Sequence, residues 1–532
     1  MTGASVRDAA IDVMRQHGMT RIFGNPGSTE IPFLTDLPED FEFVLALNEG
    51  SVVGLATGYA LARGVPSFVN LHTAPGLGNA VNAIANARDC RAPLVIMVGQ
   101  QDRRQIALRP FLTGYNLERV AGDYPVWTNL PARAQDVPGA LARAWHEALH
   151  GGGPAIVVVP MGDWAEPADA DAFGAPARVL SGAPSVSAAA VSEFAELLGG
   201  AKAPAFVVGA GADSTEGWAG VVALAERLGC PVWQEGFGSR AGFPQDHRLF
   251  AGQLPWQRSL MRRALAANDL VVAIGTLALH LYIYEPGPFL EPGTRIGVIS
   301  AYPDEVFRSA AELAVLAAPG PFCSALADEL PADDRAGEAE PLHTVAPAPA
   351  PPADGEPLLP GHVLAALAER LPRNVVLMEE TPSSQPELFQ RIPARAPLGL
   401  VSCPNGGLGF GLSGAIGLRM GLPERPVVAV LGDGATMYTV QALWSAARYG
   451  VGVLLIVMAN RRYAVMDGLA ERAGGRGPWP GFDQIDIAAI AAALGCPARR
   501  IATHDELLAA LDEVVPTLAE RQEPLLLEVA LA

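Results

Sequence analysis

The sequence is poor in every feature that would tie it to an oxidising compartment, a membrane or a nucleic acid. It has only five cysteines in 532 residues: Cys90, Cys230, Cys323, Cys403 and Cys496. The number is odd and no pair has CxxC spacing, which excludes a disulfide framework and a thiolate-held zinc as expectations. No run approaches the roughly 18 apolar residues of a membrane-crossing helix. The opening MTGASVRDAAIDVM mixes charge into a helical pattern and lacks the apolar stretch of a secretory leader. Basic charge is scarce too: 37 Lys and Arg stand against 56 Asp and Glu, a formal net charge of −19. Nucleic acid and anionic membranes attract basic surfaces, so neither is an expected partner. A cytoplasmic enzyme for small molecules fits these limits.

What is present is apolar residue in quantity, 50% of the chain, enough to bury a large core. At roughly 150 residues per domain, the length suggests about three domains. Short apolar runs at 21–23, 43–47, 67–71, 94–98 and 155–159 alternate with Ala-rich helical patterns. The same alternation recurs at 205–208, 270–274 and 295–299, and again at 375–378, 427–431, 453–458 and 525–529. Strand–helix alternation implies parallel sheets covered on both faces. The expected architecture is α/β, with three doubly wound parallel-sheet domains at 1–180, 181–335 and 359–532. A Pro/Ala-rich linker, 336–358, precedes the last one.

The clearest chemistry begins where the run 427–431 enters Gly432-Asp433-Gly434. In an open α/β sheet, ligands sit beyond the carboxyl ends of strands. Two glycines let the backbone turn and approach a phosphate. An Asp between them would repel a bare phosphate, but suits a hard divalent cation bridging carboxylate and diphosphate. The next expected strand ends at Ala459-Asn460, 27 positions after Asp433. One crossover helix and a return strand fit in that interval, so a carboxylate and an amide oxygen meet at one sheet edge. A second candidate is Glu49, which closes the run 43–47; a surface acid or helix cap is the plainer reading of it.

The GDG motif followed some two dozen residues later by Asn460 resembles the signature of thiamine-diphosphate-dependent enzymes. The first Asn of that family's pair is Ala459 here. The resemblance implies a metal, Mg²⁺ with Ca²⁺ as a substitute, held by Asp433, Asn460 and the backbone carbonyl of Arg462. It gives Glu49 the contact to the N1′ nitrogen of the cofactor's aminopyrimidine. It gives the Gly406 carbonyl the contact to the 4′-amino group, and Leu408 the role of propping the bent cofactor. Gly432, Gly434, Ala435, Tyr463 and Ser383 fall along the same cofactor. It also implies an active site between subunits, in a homodimer or homotetramer.

Within the family, FGNPGSTEIPFL, ALNEG, FVNLHTAPGLGNA, MVGQQDRR, GGLGFGL and IGTLALHLYIYEPG are similar to the benzoylformate decarboxylase branch. That resemblance implies a three-domain fold without FAD. The expected reaction is nonoxidative decarboxylation of an aromatic or branched 2-oxo acid to an aldehyde and CO₂. Ser28 would bind the substrate carboxylate, and His72 would move protons. The second catalytic histidine of that branch corresponds to Tyr282, with His280 two residues earlier; on a strand the two would share a face. Ala435 replaces a Ser and Pro382 a Thr. Two other expectations stand beside decarboxylation: a carboligase making 2-hydroxy ketones from the same intermediate, and a non-catalytic cofactor-binding paralogue.

Overall fold

The computed structural model describes residues 4–169, 186–331, 340–353 and 355–532. The expected boundaries at 180/181 and 335/336 fall outside these residues. Three six-stranded sheets are present, and every strand pair in them is parallel. The first comprises β1 (Arg21–Asn25), β2 (Glu42–Leu45), β3 (Ser67–Leu71), β4 (Leu94–Gln100), β5 (Trp127–Asn129) and β6 (Pro154–Pro160). The second comprises β7 (Pro204–Val208), β8 (Val232–Gln234), β9 (Phe250–Gln253), β10 (Leu270–Ile274), β11 (Arg295–Ser300) and β12 (Leu313–Leu316). The third comprises β13 (Val376–Glu380), β14 (Leu400–Ser402), β15 (Val427–Gly432), β16 (Leu454–Ala459), β17 (Ala498–Ile501) and β18 (Leu525–Ala530).

The first and third sheets share one strand order, β2-β1-β3-β4-β6-β5 and β14-β13-β15-β16-β18-β17. The second runs β12-β11-β10-β7-β8-β9, so its order reverses between β7 and β10. The long central strands β4, β6, β15 and β16 are buried almost from end to end, because helices cover both faces. They are therefore the uninterrupted apolar runs of the sequence. Six strands escape that pattern: β5, β8, β9, β12, β14 and β17. Each has only three or four residues, and β12 and β17 carry exposed positions.

The Pro/Ala-rich stretch lies along the domains it joins. Leu342 N–H donates to the Arg248 carbonyl, and Ala346 N–H to that of Gln390. Among the described residues, no helix is long and apolar enough to cross a membrane.

The first and third domains meet through the helices Glu49–Arg63 and Phe410–Gly421, whose apolar side chains belong to one continuous core. Their backbones nearly touch. A Cβ on Gly417 would lie 1.9 Å from the Leu55 carbonyl oxygen, and one on Gly58 would lie 2.0 Å from that of Gly414. Only glycine allows this approach. Replacing a mid-helix glycine by alanine ordinarily stabilises a helix by about 1 kcal/mol. Here overpacking reverses the sign. Gly417→Ala should lose about 1–3 kcal/mol in urea unfolding; a gain in stability would show that the two helices are not in backbone contact.

Candidate active site

The carboxyl ends of β1, β2 and β3 converge on Glu49. The chain leaves β2 at Leu45, and Asn48 caps the next helix, its side chain accepting from the N–H groups of Gly50 and Ser51 at 2.9 and 3.4 Å. Glu49 thus opens a helix rather than closing a strand. It is buried, and both carboxylate oxygens are engaged. Asn25 at the end of β1 donates to Oε1 at 3.0 Å, and Asn79 on the helix Thr73–Asp89 donates to Oε2 at 3.1 Å. Two amides from different elements fix the plane of this carboxylate. Neither carries a signal in the sequence, because each matters only through a partner 24 or 30 positions away.

His72 follows β3 and caps the helix Thr73–Asp89. Its Nδ1 lies 3.0 Å from both Thr29 Oγ1 and Glu30 Oε2. Glu30 is itself buried, takes the Gly27 N–H at 2.8 Å, and has the Thr29 hydroxyl on its other oxygen. A buried carboxylate at Nδ1 favours a proton there and leaves Nε2 for chemistry. Gly27 lies flat against the imidazole, where a Cβ would fall 2.3 Å from the ring. Ser28 is exposed on the turn between Gly27 and Thr29. Thr73, directly after the histidine, has φ 37°, a left-handed conformation unusual for a β-branched residue. Such strain gathers at functional sites.

In the third domain β15 and β16 are adjacent, with Gly432 opposite Met458. Asp433 and Asn460 therefore leave one sheet edge together. The Asp433 carboxylate accepts from Gly434 N–H at 2.7 Å and from Arg461 N–H at 2.6 Å. Burial pushes its pKa up against these two donors. Asn460 Oδ1 accepts from the Arg462 N–H at 3.2 Å, and Arg461 takes φ 57° to make this turn. Ala435 is buried below the loop, and a Cβ on Gly434 would lie 2.8 Å from the Tyr463 ring. The result is a shallow backbone cradle beside one carboxylate, one amide oxygen and nearby carbonyls. Such a donor set suits a hard divalent cation and an attached phosphate. Among the described residues, no three His, Cys, Asp or Glu side chains converge as a metal cluster.

The segment 403–410 supplies a third wall. Gly406 has φ 72°, and the carbonyls of Gly407 and Leu408 accept from Asn86 and Asn82 at 2.6 and 3.1 Å. Ser383 is exposed on the turn after β13.

The reading of His280 and Tyr282 as neighbours on a strand does not hold. β10 ends at Ile274, and both residues lie in the loop that follows. Proline and glycine at 286–288 and the lack of a pairing partner keep this segment out of the sheet. The two rings nevertheless flank Phe237, with centroids 5.6 and 5.8 Å from it. His280 faces Glu235, whereas Tyr282 packs on Trp256 and stays 62% exposed.

Residues 4–118 match the N-terminal TPP binding domain of thiamine pyrophosphate enzymes, 191–326 their central domain, and 384–529 their C-terminal TPP binding domain. The chain is 36% identical over 532 residues to the benzoylformate decarboxylase of Pseudomonas aeruginosa, covering 99% of this chain and 98% of that one. It belongs to the thiamine-diphosphate-dependent enzymes. Its fold overlays the 4-hydroxybenzoylformate decarboxylase of Rhodococcus jostii RHA1 with a TM-score of 0.93, at 32% identity and 99% coverage of both chains. It overlays the benzoylformate decarboxylase of Polynucleobacter necessarius with a TM-score of 0.92, at 30% identity and 99% and 98% coverage.

Within this thiamine-diphosphate enzyme, a second buried acid besides Glu30 went unread in the sequence. Glu380, at the end of β13, accepts from the N–H groups of Gly409, Phe410 and Gly411 at 3.0–3.1 Å. It thereby ties the segment 403–410 to the start of the helix Phe410–Gly421. Burial outweighs these donors and pushes its pKa up to about 8 from an ordinary 4.5. Between those values the folded protein holds a proton that the unfolded chain releases. The contribution to stability is therefore complete at acid pH and is lost as pH rises through about 8. Wild type should lose more stability than Glu380→Gln between pH 6 and 9 in urea unfolding. Parallel pH profiles would remove Glu380 from this role.

Proposed function

We propose that the protein decarboxylates an aromatic or branched 2-oxo acid nonoxidatively, releasing an aldehyde and CO₂. The observation that carries this reading is the pair of supported groups beyond the carboxyl edge of one sheet: Glu49 locked by Asn25 and Asn79, and His72 backed by buried Glu30. They occur in a chain similar over its whole length to benzoylformate decarboxylases.

Bound thiamine diphosphate supplies the electron sink that lets a carboxylate leave as CO₂. The protein's residues do the rest. Glu49 shares a proton with the pyrimidine N1′, and the amides of Asn25 and Asn79 hold the carboxyl in place for it. Ser28 offers a hydroxyl to the substrate carboxylate, a contact weak enough to release CO₂ where an arginine would anchor the anion. His72, with Nδ1 engaged by Glu30, gives or takes a proton through Nε2. Asp433, Asn460 and the Arg462 carbonyl would hold Mg²⁺ or Ca²⁺ against the diphosphate, beside Gly432, Gly434 and Ala435. Gly406, Leu408, Tyr463 and Ser383 complete the cofactor's surroundings.

The active unit is a homodimer or a homotetramer, with the site between subunits. Within one chain the hydrogen bonds of Glu49 run to Asn25 and Asn79, and those of Asp433 to its own loop. Leu108, Phe111 and Tyr115 are 83, 87 and 60% exposed, an apolar surface that a second copy would cover. Five free thiols, four of them buried, fit a reducing cytoplasm.

Carboligation is the second reading, and Tyr282 favours it. A phenol with an ordinary pKa near 10 is a poorer proton donor at neutral pH than imidazole, which lengthens the time in which an added aldehyde can be captured.

Three measurements test these roles. Asp433→Ala should lose Mg²⁺ and thiamine diphosphate together in calorimetry; unchanged cofactor affinity removes the metal assignment. Glu49→Gln should keep the cofactor but slow C2–H exchange, read by NMR after acid quench, by about a hundredfold or more. With benzoylformate as donor and added aldehyde, Tyr282→His should lower the ratio of hydroxy ketone to aldehyde. An unchanged ratio, in it and in His280→Ala, would exclude this loop from the protonation step.

A further inference from the structure

A cavity of about 170 Å³ lies between the first and third domains, at the edge of the two sheets opposite the candidate site. It opens where β1 and β2 begin, at Arg21 and Glu42, and where the chain approaches β16 and β18, at 449–452 and 521–522. The last turn of the helix Phe410–Gly421 adds Arg419 to its wall. No residue assigned to decarboxylation or to the cofactor lines it.

The charge of this cavity is unbalanced. In a chain of net charge −19, its wall carries three guanidinium groups and one carboxylate. That carboxylate, Glu42, is spent on Arg21, whose Nε and Nη2 lie 2.7 and 2.6 Å from one of its oxygens. Arg419 is only 3% exposed, yet its hydrogen bonds run to carbonyls alone: Arg425 at 2.8 Å, Ala519 at 2.9 Å and Arg521 at 3.0 Å. Burial pulls its pKa down, with no acid among the described residues to oppose the shift. Carbonyls orient a guanidinium, and a helix C-terminus offers it about half a negative charge. A buried cation ordinarily has a full counter-charge. Arg521 donates Nε to the Glu523 carbonyl at 2.9 Å. Glu513, the acid that feels its charge, is already held by Arg499 through two bonds of 2.7 Å.

The walls are fixed before any guest arrives. A Cβ on Gly452 would lie 1.7 Å from the Arg521 carbonyl oxygen, so the turns before β16 and β18 touch backbone to backbone. Tyr449 ties the same turn to the first domain. Its hydroxyl accepts the Leu45 N–H at 2.8 Å and donates to the Phe43 carbonyl at 3.3 Å. Guanidinium groups from both domains therefore share one preformed cavity, and preformed donors lose little freedom on binding. Its volume falls below the roughly 300–1,000 Å³ of sites for organic ligands, which points to a small ion. Arginine forks match the oxygens of a tetrahedral oxyanion two at a time.

We propose that this cavity binds a small tetrahedral dianion, inorganic phosphate or sulfate, which clamps the first domain to the third. The test is calorimetric titration of the protein loaded with excess thiamine diphosphate and Mg²⁺, so that the cofactor's own phosphate loop is filled. Phosphate or sulfate should bind saturably, one ion per chain, and the tighter of the two identifies the guest. Acetate should bind about tenfold more weakly or worse. Arg521→Gln should weaken the oxyanion by a similar factor. So should Gln522→Glu, an isosteric change at an exposed position of the wall that adds a negative charge. Arg500→Gln alters net charge outside the cavity and should leave affinity unchanged. The bound ion should also raise the urea midpoint above that in chloride of equal ionic strength. Absent saturable binding of either oxyanion, equal affinity for acetate, unchanged affinity in either cavity variant, an equal loss in Arg500→Gln, or equal protection by chloride would overturn the proposal. None of these outcomes depends on turnover, so they stand apart from the decarboxylase reading.

Discussion

Everything in the candidate site hangs on two helices that approach each other closely enough for backbone to meet backbone. One begins at Glu49 and the other at Phe410, directly after the segment 403–410. Gly58 and Gly417 remove the side chains that would hold them apart. Because each helix starts at a candidate loop, the crossing fixes the spacing of the first domain's Glu49 loop and the third domain's segment 403–410 within one chain. A methyl group there would shift both at once. Close packing transmits such shifts rather than absorbing them.

The same economy governs the buried acids. Glu49, Glu380 and Asp433 are all withdrawn from water, and each is met by amide or backbone donors rather than by a cation. An ion pair would hold these carboxyls permanently charged. Amide and backbone donors orient them while leaving proton affinity adjustable. That difference matters most at Glu49, whose proposed task is to share a proton.

The central strands and the loops that follow β15 and β16 were legible because each leaves a local trace. A strand buried on both faces must be continuously apolar, and Gly432-Asp433-Gly434 with Asn460 stands out as two polar turns at neighbouring strand ends. Short strands such as β8 and β14 left none, since three residues carry no period. Asn25, Asn79, Glu30 and Glu380 were illegible for another reason: their meaning is a contact across the fold. Glu49 looked like the end of a strand because Asn48, which caps the helix, reads as an ordinary loop residue. The segment around His280 failed through its composition, since tyrosine and isoleucine in alternation mimic a strand that has no partner to pair with.

One helix of the first domain links the candidate site to the middle domain. The helix Thr73–Asp89 starts at His72, presents Asn79 to Glu49, and holds the Gly407 and Leu408 carbonyls through Asn86 and Asn82. Its last turn places Arg88 in the wall of a cavity against the middle domain, with Arg91 just beyond. At the same wall, Ser239 accepts the Ser402 N–H through its backbone carbonyl while its hydroxyl lines the cavity. A shift of this one helix would therefore move His72, the amide on Glu49 and the segment 403–410 together, because close packing transmits displacement.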